Sequence, residues 1–185
     1  AGGGVHLISL KPRTSSVWNE KTYKVNERMT TFSYEAHVKY TGRNFAFAAK
    51  SLMASCLDHT ALIGGYGISS INPDNGEQEY TPFRHSTSWV NFTYGTKWKG
   101  HFFAGYTKNM GTADALASAT KYGMGLDIDQ VFSTNIAFSY NLPHWQIGME
   151  YMPTTAWYGD TDRASGKVVN THSVTNHRIL GLGMY

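Results

Sequence analysis

Cysteine, proline and long apolar runs are all scarce in this chain of 185 residues. Cys56 is the only cysteine, so no disulfide can form within the chain. The longest unbroken apolar runs, such as residues 45–49, fall far short of the roughly 20 residues that a transmembrane helix needs. Mean hydropathy is −0.36. The composition therefore argues against a helical membrane span, and the length suits a single domain, residues 1–185.

Clustered charge is also missing. The chain has 16 Lys and Arg against 13 Asp and Glu, which gives a net charge of +3, but the basic residues are scattered. A nucleic-acid-binding surface needs basic side chains concentrated on one face or along one element. The scatter predicts a mixed, solvated surface and no nucleic-acid partner.

Catalytic and nucleotide-binding motifs are absent as well. The glycine-rich segments GGYGIS and YGMGLD do not complete the G-x-G-x-x-G pattern between a strand and a helix. The eight histidines are dispersed, and we interpret His101 and His144 as turn residues. The sequence therefore predicts no catalytic residue, and we expect a protein that is not an enzyme.

Acidic pairs offer the only hint of a metal site. Loop carboxylates stand at i, i+2 spacing in two places: Asp127 with Asp129, and Asp160 with Asp162. A Ca²⁺ ion needs six to eight oxygen ligands, which neither pair supplies. We interpret both pairs as solvated loop residues, and we expect neither a metal nor a cofactor.

Aromatic residues, at 14%, and 19 glycines are abundant, and the aromatics alternate with polar residues. Residues 131–152 show this best, as VFSTNIAFSY, the turn NLPH and WQIGMEYM. A period of two places alternate side chains on opposite faces of a β-strand. Pro143 and Asn141 suit a turn. The stretch is predicted to be a β-hairpin with one apolar and one polar face.

The same pattern along the chain predicts about eight strands joined alternately by short turns and long loops. The short turns are placed at 41–44, 98–101 and 141–144, and the long loops at about 11–28, 57–86, 108–129 and 159–172. Within the loops, a strand extension is expected near 62–68 and a short helix at 113–121. Short turns at one end and long loops at the other are typical of outer-membrane β-barrels.

The two faces differ in chemistry. Aromatic residues crowd the short-turn end of the apolar face and predict a lipid-facing girdle: Tyr40, Phe45, Trp98, Phe102, Tyr140 and Trp145. Charged and titratable residues fall on the other face and are predicted to line a pore: Glu35, His37, Lys39, Lys50, Lys97, Glu150 and Arg178. A soluble sandwich or lipocalin-like barrel also alternates, but its apolar face is usually rich in Val, Ile and Leu. The aromatic-rich face favours an all-β transmembrane antiparallel barrel.

Several segments also resemble a known family. TFSYEAHVKYTGRNFAFAAKS, GGYGISSINPDNGEQEYTPFRHS, SYNLPHWQIGMEY and the ending TTAWYG…THSVTNHRILGLGMY are similar to the C-terminal half of DcaP-like trimeric outer-membrane porins of Bacteroidota. The resemblance runs from about residue 20 to the end of the chain, and it implies a homotrimer and a wall of about sixteen strands. It also implies passive diffusion of small, often anionic, solutes across the bacterial outer membrane.

The predicted function is that of a porin with a polar, net basic lumen, whose partners are the outer-membrane bilayer and small solutes. Two alternatives remain at this level. One is a non-conducting barrel that acts as a scaffold in a membrane complex, and the other is an outer-membrane enzyme with its site at the extracellular rim.

We also expect the chain to be part of a larger barrel. Gly2–Leu10 makes a poor membrane strand, because it holds His6 and three successive glycines. In the last strand, Leu180, Leu182 and Met184 are assigned to the apolar face. The eight strands would then form an arc of a wider wall, since open sheet edges cannot face lipid.

Overall fold

The computed structural model describes residues 1–60 and 62–184. Twelve strands make up most of these residues: β1 (Gly2–Leu10), β2 (Ser15–Trp18), β3 (Lys21–Lys24), β4 (Met29–Thr41), β5 (Phe45–Ser55), β6 (Gly64–Ile71), β7 (Gln78–Gly95), β8 (Trp98–Gly111), β9 (Lys121–Met124), β10 (Ile128–Asn141), β11 (Gln146–Thr161) and β12 (Val168–Met184). The only helical piece among them is a 3-10 turn, Asp58–Thr60. No helix in the described residues is long and apolar enough to cross a membrane. The all-β prediction is confirmed.

Ten strands belong to one antiparallel sheet, which we call the main sheet; eight of them follow one another across it in the order β1-β4-β5-β7-β8-β10-β11-β12, and β6 and β9 join it through β7. The ladder between β8 and β10 is an example: it runs from Lys108 opposite Gln130 to Trp98 opposite Tyr140 without a register shift. Directly opposed residues in such a ladder point to the same side of the sheet. The alternation within each strand therefore adds up to two chemically distinct faces for the whole sheet.

The sheet is open. β1 and β12 lie at its two ends, and no ladder joins them in the part of the chain that the structure describes. The predicted large antiparallel sheet is confirmed, with eight strands along its continuous path. Within residues 1–60 and 62–184 this sheet does not close into a barrel.

Short turns join the strands at one end of this sheet, at residues 42–44, 96–97 and 142–145. Gly95 ends β7 with φ of +115°, a conformation that favours glycine, and a Cβ there would lie 1.9 Å from the Trp98 carbonyl oxygen. The second turn therefore falls slightly earlier than predicted, and residues 98–101 belong to β8.

The long connections gather at the other end and contact one another. We call them the loop layer: the β2–β3 hairpin, β6, β9, and the segments 72–77, 112–120 and 162–167. β6 pairs with the start of β7 on one side and with β9 on the other. The predicted extension near 62–68 is therefore a strand, β6, that begins at Gly64.

Two sequence predictions about this end are wrong. Segment 112–120 is irregular rather than helical. Its alanines favour a helix, but so short a helix is marginal by itself. Its amides instead bond to other segments, Leu116 N–H to the Arg163 carbonyl at 2.7 Å and Ala117 N–H to the Ile68 carbonyl at 2.8 Å. The predicted loop 159–172 is mostly strand, because β11 and β12 extend until only 162–167 remains.

Candidate functional site

One face of the main sheet carries most of its large apolar side chains, with polar pairs such as Ser51 and Ser88 among them. A row of direct partners crosses seven strands, from β4 to β12: Tyr40, Phe47, Phe92, Phe102, Ile136, Tyr151 and Ile179. Large side chains on this face are exposed, including Phe138 at 64% and Ile179 at 72%. We call it the apolar face. Contiguous exposed apolar surfaces of this kind mark sites of contact with a membrane or another protein.

Aromatic rings concentrate at the short-turn end of the apolar face. Tyr40 and Phe45 lie 5.6 Å apart between ring centroids, Trp98 and Tyr140 lie 4.6 Å apart, and Trp145 meets the edge of Tyr140 at 6.1 Å. The structure thus brings together five of the six predicted girdle residues in two groups. The sixth, Phe102, lies farther along β8, in the row with Phe92 and Ile136.

Lys97 does not share a face with the other charged residues. It lies in the turn between β7 and β8, and its Nζ atom stands 5.1 Å from the centroid of the Tyr140 ring. A cation over a tyrosine ring is a favourable contact. The structure therefore places Lys97 beside the girdle, whereas the sequence assigned it to the polar face.

The opposite face, which we call the polar face, carries a charged cluster on β4 and β5. Glu35 forms an ion pair with Lys50, and its second carboxylate oxygen lies 3.2 Å from Nδ1 of His37. Lys39 follows on the same face of β4, next to the short-turn end. These four predicted residues are neighbours.

Glu150 and Arg178 lie on the polar face too, but on the far side of the sheet. Arg178 is opposite Met152, and Glu150 is opposite Leu180. Strands β7, β8 and β10 separate them from the cluster of Glu35. The seven predicted pore-lining residues thus divide into two polar-face groups plus Lys97.

The register of β12 differs from the prediction. Ile179 is opposite Tyr151 on the apolar face, so Leu180 and Leu182 fall with Glu150 on the polar face. Met184 lies on the polar face with them, opposite Gln146. The assignment of Leu180, Leu182 and Met184 to the apolar face is therefore wrong, and the apolar-face positions between them are glycines.

Hydrogen bonds cross the polar face near the short turns. Thr93 Oγ1 lies 3.1 Å from Nδ1 of His101, and the other ring nitrogen of His101 lies 3.3 Å from Ser139 Oγ. The Asn141 amide donates to the same Ser139 hydroxyl at 3.1 Å. His101 is thus an interior residue of β8 that joins three strands, not the turn residue expected from sequence. His144 does lie in the turn 142–145.

Two aromatic residues on the polar face had no predicted role. Trp89 lies opposite Lys50 on one side and Gly105 on the other, and Phe103 lies opposite Asn91 and Asn135. A groove of about 520 Å³ lies beside Phe103; its polar-face lining includes Asn91, His101, Phe103, Asn135, Glu150, Met152 and Leu180. The alternation around residues 89 and 103 is the signal that could have identified these two rings.

The loop layer closes over the polar face at the long-loop end. Phe83 continues the polar-face register of β7, is fully buried, and packs against Leu116 and Leu126. The Arg163 guanidinium holds segment 112–120 in this position, donating to the Leu116 carbonyl at 3.2 Å and to the Ala117 carbonyl at 2.6 Å. Part of the polar face is therefore covered by chain from the loops.

The loop carboxylates make no metal site. Asp129 accepts a hydrogen bond from Lys108 at 2.6 Å. Asp162 accepts from the Ser165 hydroxyl at 2.6 Å and from the Ala164 amide, and these bonds lower the pKa of its carboxyl. Among the residues that the structure describes, no three His, Cys, Asp or Glu side chains group closely enough to hold a metal ion.

Cys56 provides a simple test of the packing where β5 enters the loop layer. Burial, together with the nearby Asp58 carboxylate, raises the pKa of its thiol to about 12. Because the thiolate is the reactive form, we expect iodoacetamide at pH 8 to leave Cys56 unmodified in the folded protein and to alkylate it fully in denaturant. Mass spectrometry of the two samples measures this, and rapid labelling of the folded protein would contradict the packing described.

A scan against models of protein families, a search of curated proteins and a search of solved structures found no match to this chain.

Proposed function

We propose that this chain forms part of the wall of a bacterial outer-membrane porin, with the apolar face against lipid and the polar face lining a passage for small solutes. The observation that carries the proposal is the apolar face itself. It extends across the sheet, it is exposed, and aromatic rings are grouped at its short-turn end. Those are the features of a transmembrane barrel surface.

Strand length supports the proposal. A membrane-spanning strand needs about 9–11 residues. The eight strands that follow one another across the main sheet range from 9 residues in β1 to 18 residues in β7. Each can cross the hydrocarbon layer, and the longer ones extend beyond it into the loop layer.

The open edges of β1 and β12 must be paired with other strands in a complete membrane wall. Their unpaired amide and carbonyl groups cannot face lipid, because nothing there replaces the hydrogen bonds of water. We propose that further polypeptide pairs with both edges and completes a barrel of about sixteen strands, an even number within the range of such proteins. The resemblance to DcaP-like porins implies the same size and a homotrimer.

The polar face suits small, mildly anionic solutes. Its predicted residues include Lys39, Lys50 and Arg178 against Glu35 and Glu150, a basic excess. Rings of charged side chains set the ion preference of a pore. No catalytic role is proposed for any of these residues.

A second candidate, a non-conducting scaffold barrel, is favoured by one observation. Segment 112–120 and Leu126 pack on Phe83 and cover part of the polar face. If this cover blocked the passage, the protein would serve as a surface partner rather than a pore.

Two measurements on the full protein test the proposal. Extraction should require detergent, and purified protein in a planar bilayer should give open channels with mild anion preference. A chain that stays monomeric and fully folded in plain buffer would eliminate the membrane assignment. A membrane-inserted but electrically silent protein would favour the scaffold.

Arg163→Ala tests whether the loop layer restricts the passage. The substitution removes two hydrogen bonds from a solvent-exposed guanidinium to backbone carbonyls, each contributing about 0.5–1.5 kcal/mol to holding segment 112–120. We expect larger current fluctuations in single-channel recordings and faster tryptic cleavage after Lys121.

The control is Arg43→Ala, which removes an arginine from the short turn between β4 and β5 at the opposite end. It should leave both readouts unchanged. Identical behaviour of the two variants would show that the loop segment does not control the current.

A further inference from the structure

We infer that the polar face carries a binding site for neutral saccharides, centred on the ring of Phe103. This inference rests on the proposed function, because it assumes that the polar face lines a solute passage. It differs from a general basic lumen in naming a site, a chemistry and a set of residues.

Phe103 forms a flat platform on the sheet. Its ring lies over Gly105, where a Cβ atom would come within 2.9 Å of the Phe103 Cζ atom. The missing side chain at Gly105 thus leaves the space in which the ring lies down along β8. Trp89 extends the apolar surface, with ring centroids 6.3 Å apart and an angle of 34° between the planes.

Two amides flank the platform in the same row. Asn91 on β7 and Asn135 on β10 are the direct cross-strand partners of Phe103. The hydrogen bonds on this part of the described face use Thr93, His101 and Ser139. The side chains of Asn91 and Asn135 are left to bond a ligand, and each amide can both donate and accept.

The next row adds a histidine and a carboxylate. Ala137 on β10 lies opposite His101 on β8 and opposite Glu150 on β11. The histidine and the carboxylate therefore stand on the two sides of Ala137 in the groove. All of these side chains except Trp89 line the groove of about 520 Å³ described above. A volume of this order lies within the usual range for small-molecule sites.

The charge of the groove favours a neutral ligand over an anion. Its lining contains Glu150 but no lysine or arginine among the described residues. The cations nearest to it on this face, Lys99 opposite Ser139 and Arg178 opposite Met152, lie at its rim and not in its lining. A sugar ring has an apolar face that can lie on an aromatic ring and hydroxyl groups at its rim that bond amides and carboxylates.

The test is a calorimetric titration of maltohexaose into the full protein in detergent micelles. We expect Phe103→Ala to weaken binding by about tenfold, the factor that follows from losing one well-stacked ring. Phe103→Tyr keeps the ring and should bind as the wild type does. Asn135→Ala should weaken binding as well, because it removes a hydrogen-bonding partner.

Phe92→Ala is the matched control. It removes the same atoms from the neighbouring strand β7, on the apolar face and outside the lining of the groove, and should leave saccharide binding unchanged. The shift between heated and unheated samples on a gel shows that each variant is folded. Equal losses in Phe92→Ala and Phe103→Ala would overturn the site, as would wild-type protein that binds neither maltohexaose nor cellohexaose at millimolar concentration.

Preference for succinate over both saccharides, lost on Phe103→Ala, would also overturn the inference, because the site would then be one for anions. These failures are separable from failure of the proposed function. Absent saccharide binding leaves detergent dependence and conductance intact, whereas a chain that is soluble without detergent removes the membrane wall whatever it binds.

Discussion

Phe138→Arg should lower the free energy of unfolding in a bilayer by about 2 kcal/mol, since it places a charge on the lipid-facing surface one row of residues inside the aromatic girdle, between the interface and the midplane. Phe138 lies on the apolar face opposite Gly100 and Met149, and it is 64% exposed. In water an exposed arginine would cost little there. The size of the loss therefore reports on the solvent that covers this face, and it can be measured by urea titration of protein folded into vesicles.

Asn135→Arg is the control on the same strand. Asn135 is three residues before Phe138, so its side chain points to the other face of β10, the polar face, beside Phe103. A new charge there enters the aqueous side, and we expect a loss below about 1 kcal/mol. Equal losses at positions 135 and 138 would contradict the assignment of the faces.

Phe83→Ala should cost about 3–5 kcal/mol, the range for removing a large aromatic side chain from a close-packed interior. Phe83 is fully buried and contacts Leu116 and Leu126. The cavity would lie under segment 112–120, so the loss should appear first in the loop layer. Hydrogen exchange of amides in that segment, Leu116 among them, should accelerate more than exchange in the centre of β10.

Phe132→Ala is the matched control for this second prediction. Phe132 is 44% exposed on the apolar face, so its removal opens no cavity inside the protein. A similar loss for both substitutions would mean that the packing of Phe83 is not the main stabilising contact of the loop layer.

The two-faced sheet could be predicted from sequence because alternation is local. Tyr34, Val38 and Tyr40 share a face whatever their strand pairs with, and short turns fix which strands are neighbours. The polar placement of Glu35, Lys50 and Glu150 follows from the same parity and is observed.

The sequence does not show which face a residue takes in a strand where both alternating sets of side chains are apolar. In β12, Ile179 competes with Leu180 and Leu182, and only the pairing with Tyr151 decides which side each takes. The predicted polar-face position of Lys97 is wrong for a related reason: β7 ends at Gly95, and in the turn beyond it side chains no longer alternate with a period of two. Segment 112–120 was misassigned because its bonding partners, Ile68 and Arg163, lie far away in sequence.

The connections of the loop layer also bear on the order in which the molecule assembles. Neighbouring strands of the main sheet follow one another along the chain, apart from the excursions between them, so each pairing closes a limited length of chain. Arg13 reaches Tyr122, a separation of 109 residues, and Arg163 reaches Leu116 across 47. Contacts between distant segments form slowly, because the chain loses the entropy of closing a long loop before the contact can stabilise it. The sheet can therefore form completely, with its apolar and polar faces in place, before the loops pack against it. Cutting a loop should then change which solutes pass along the polar face without preventing the strands from pairing.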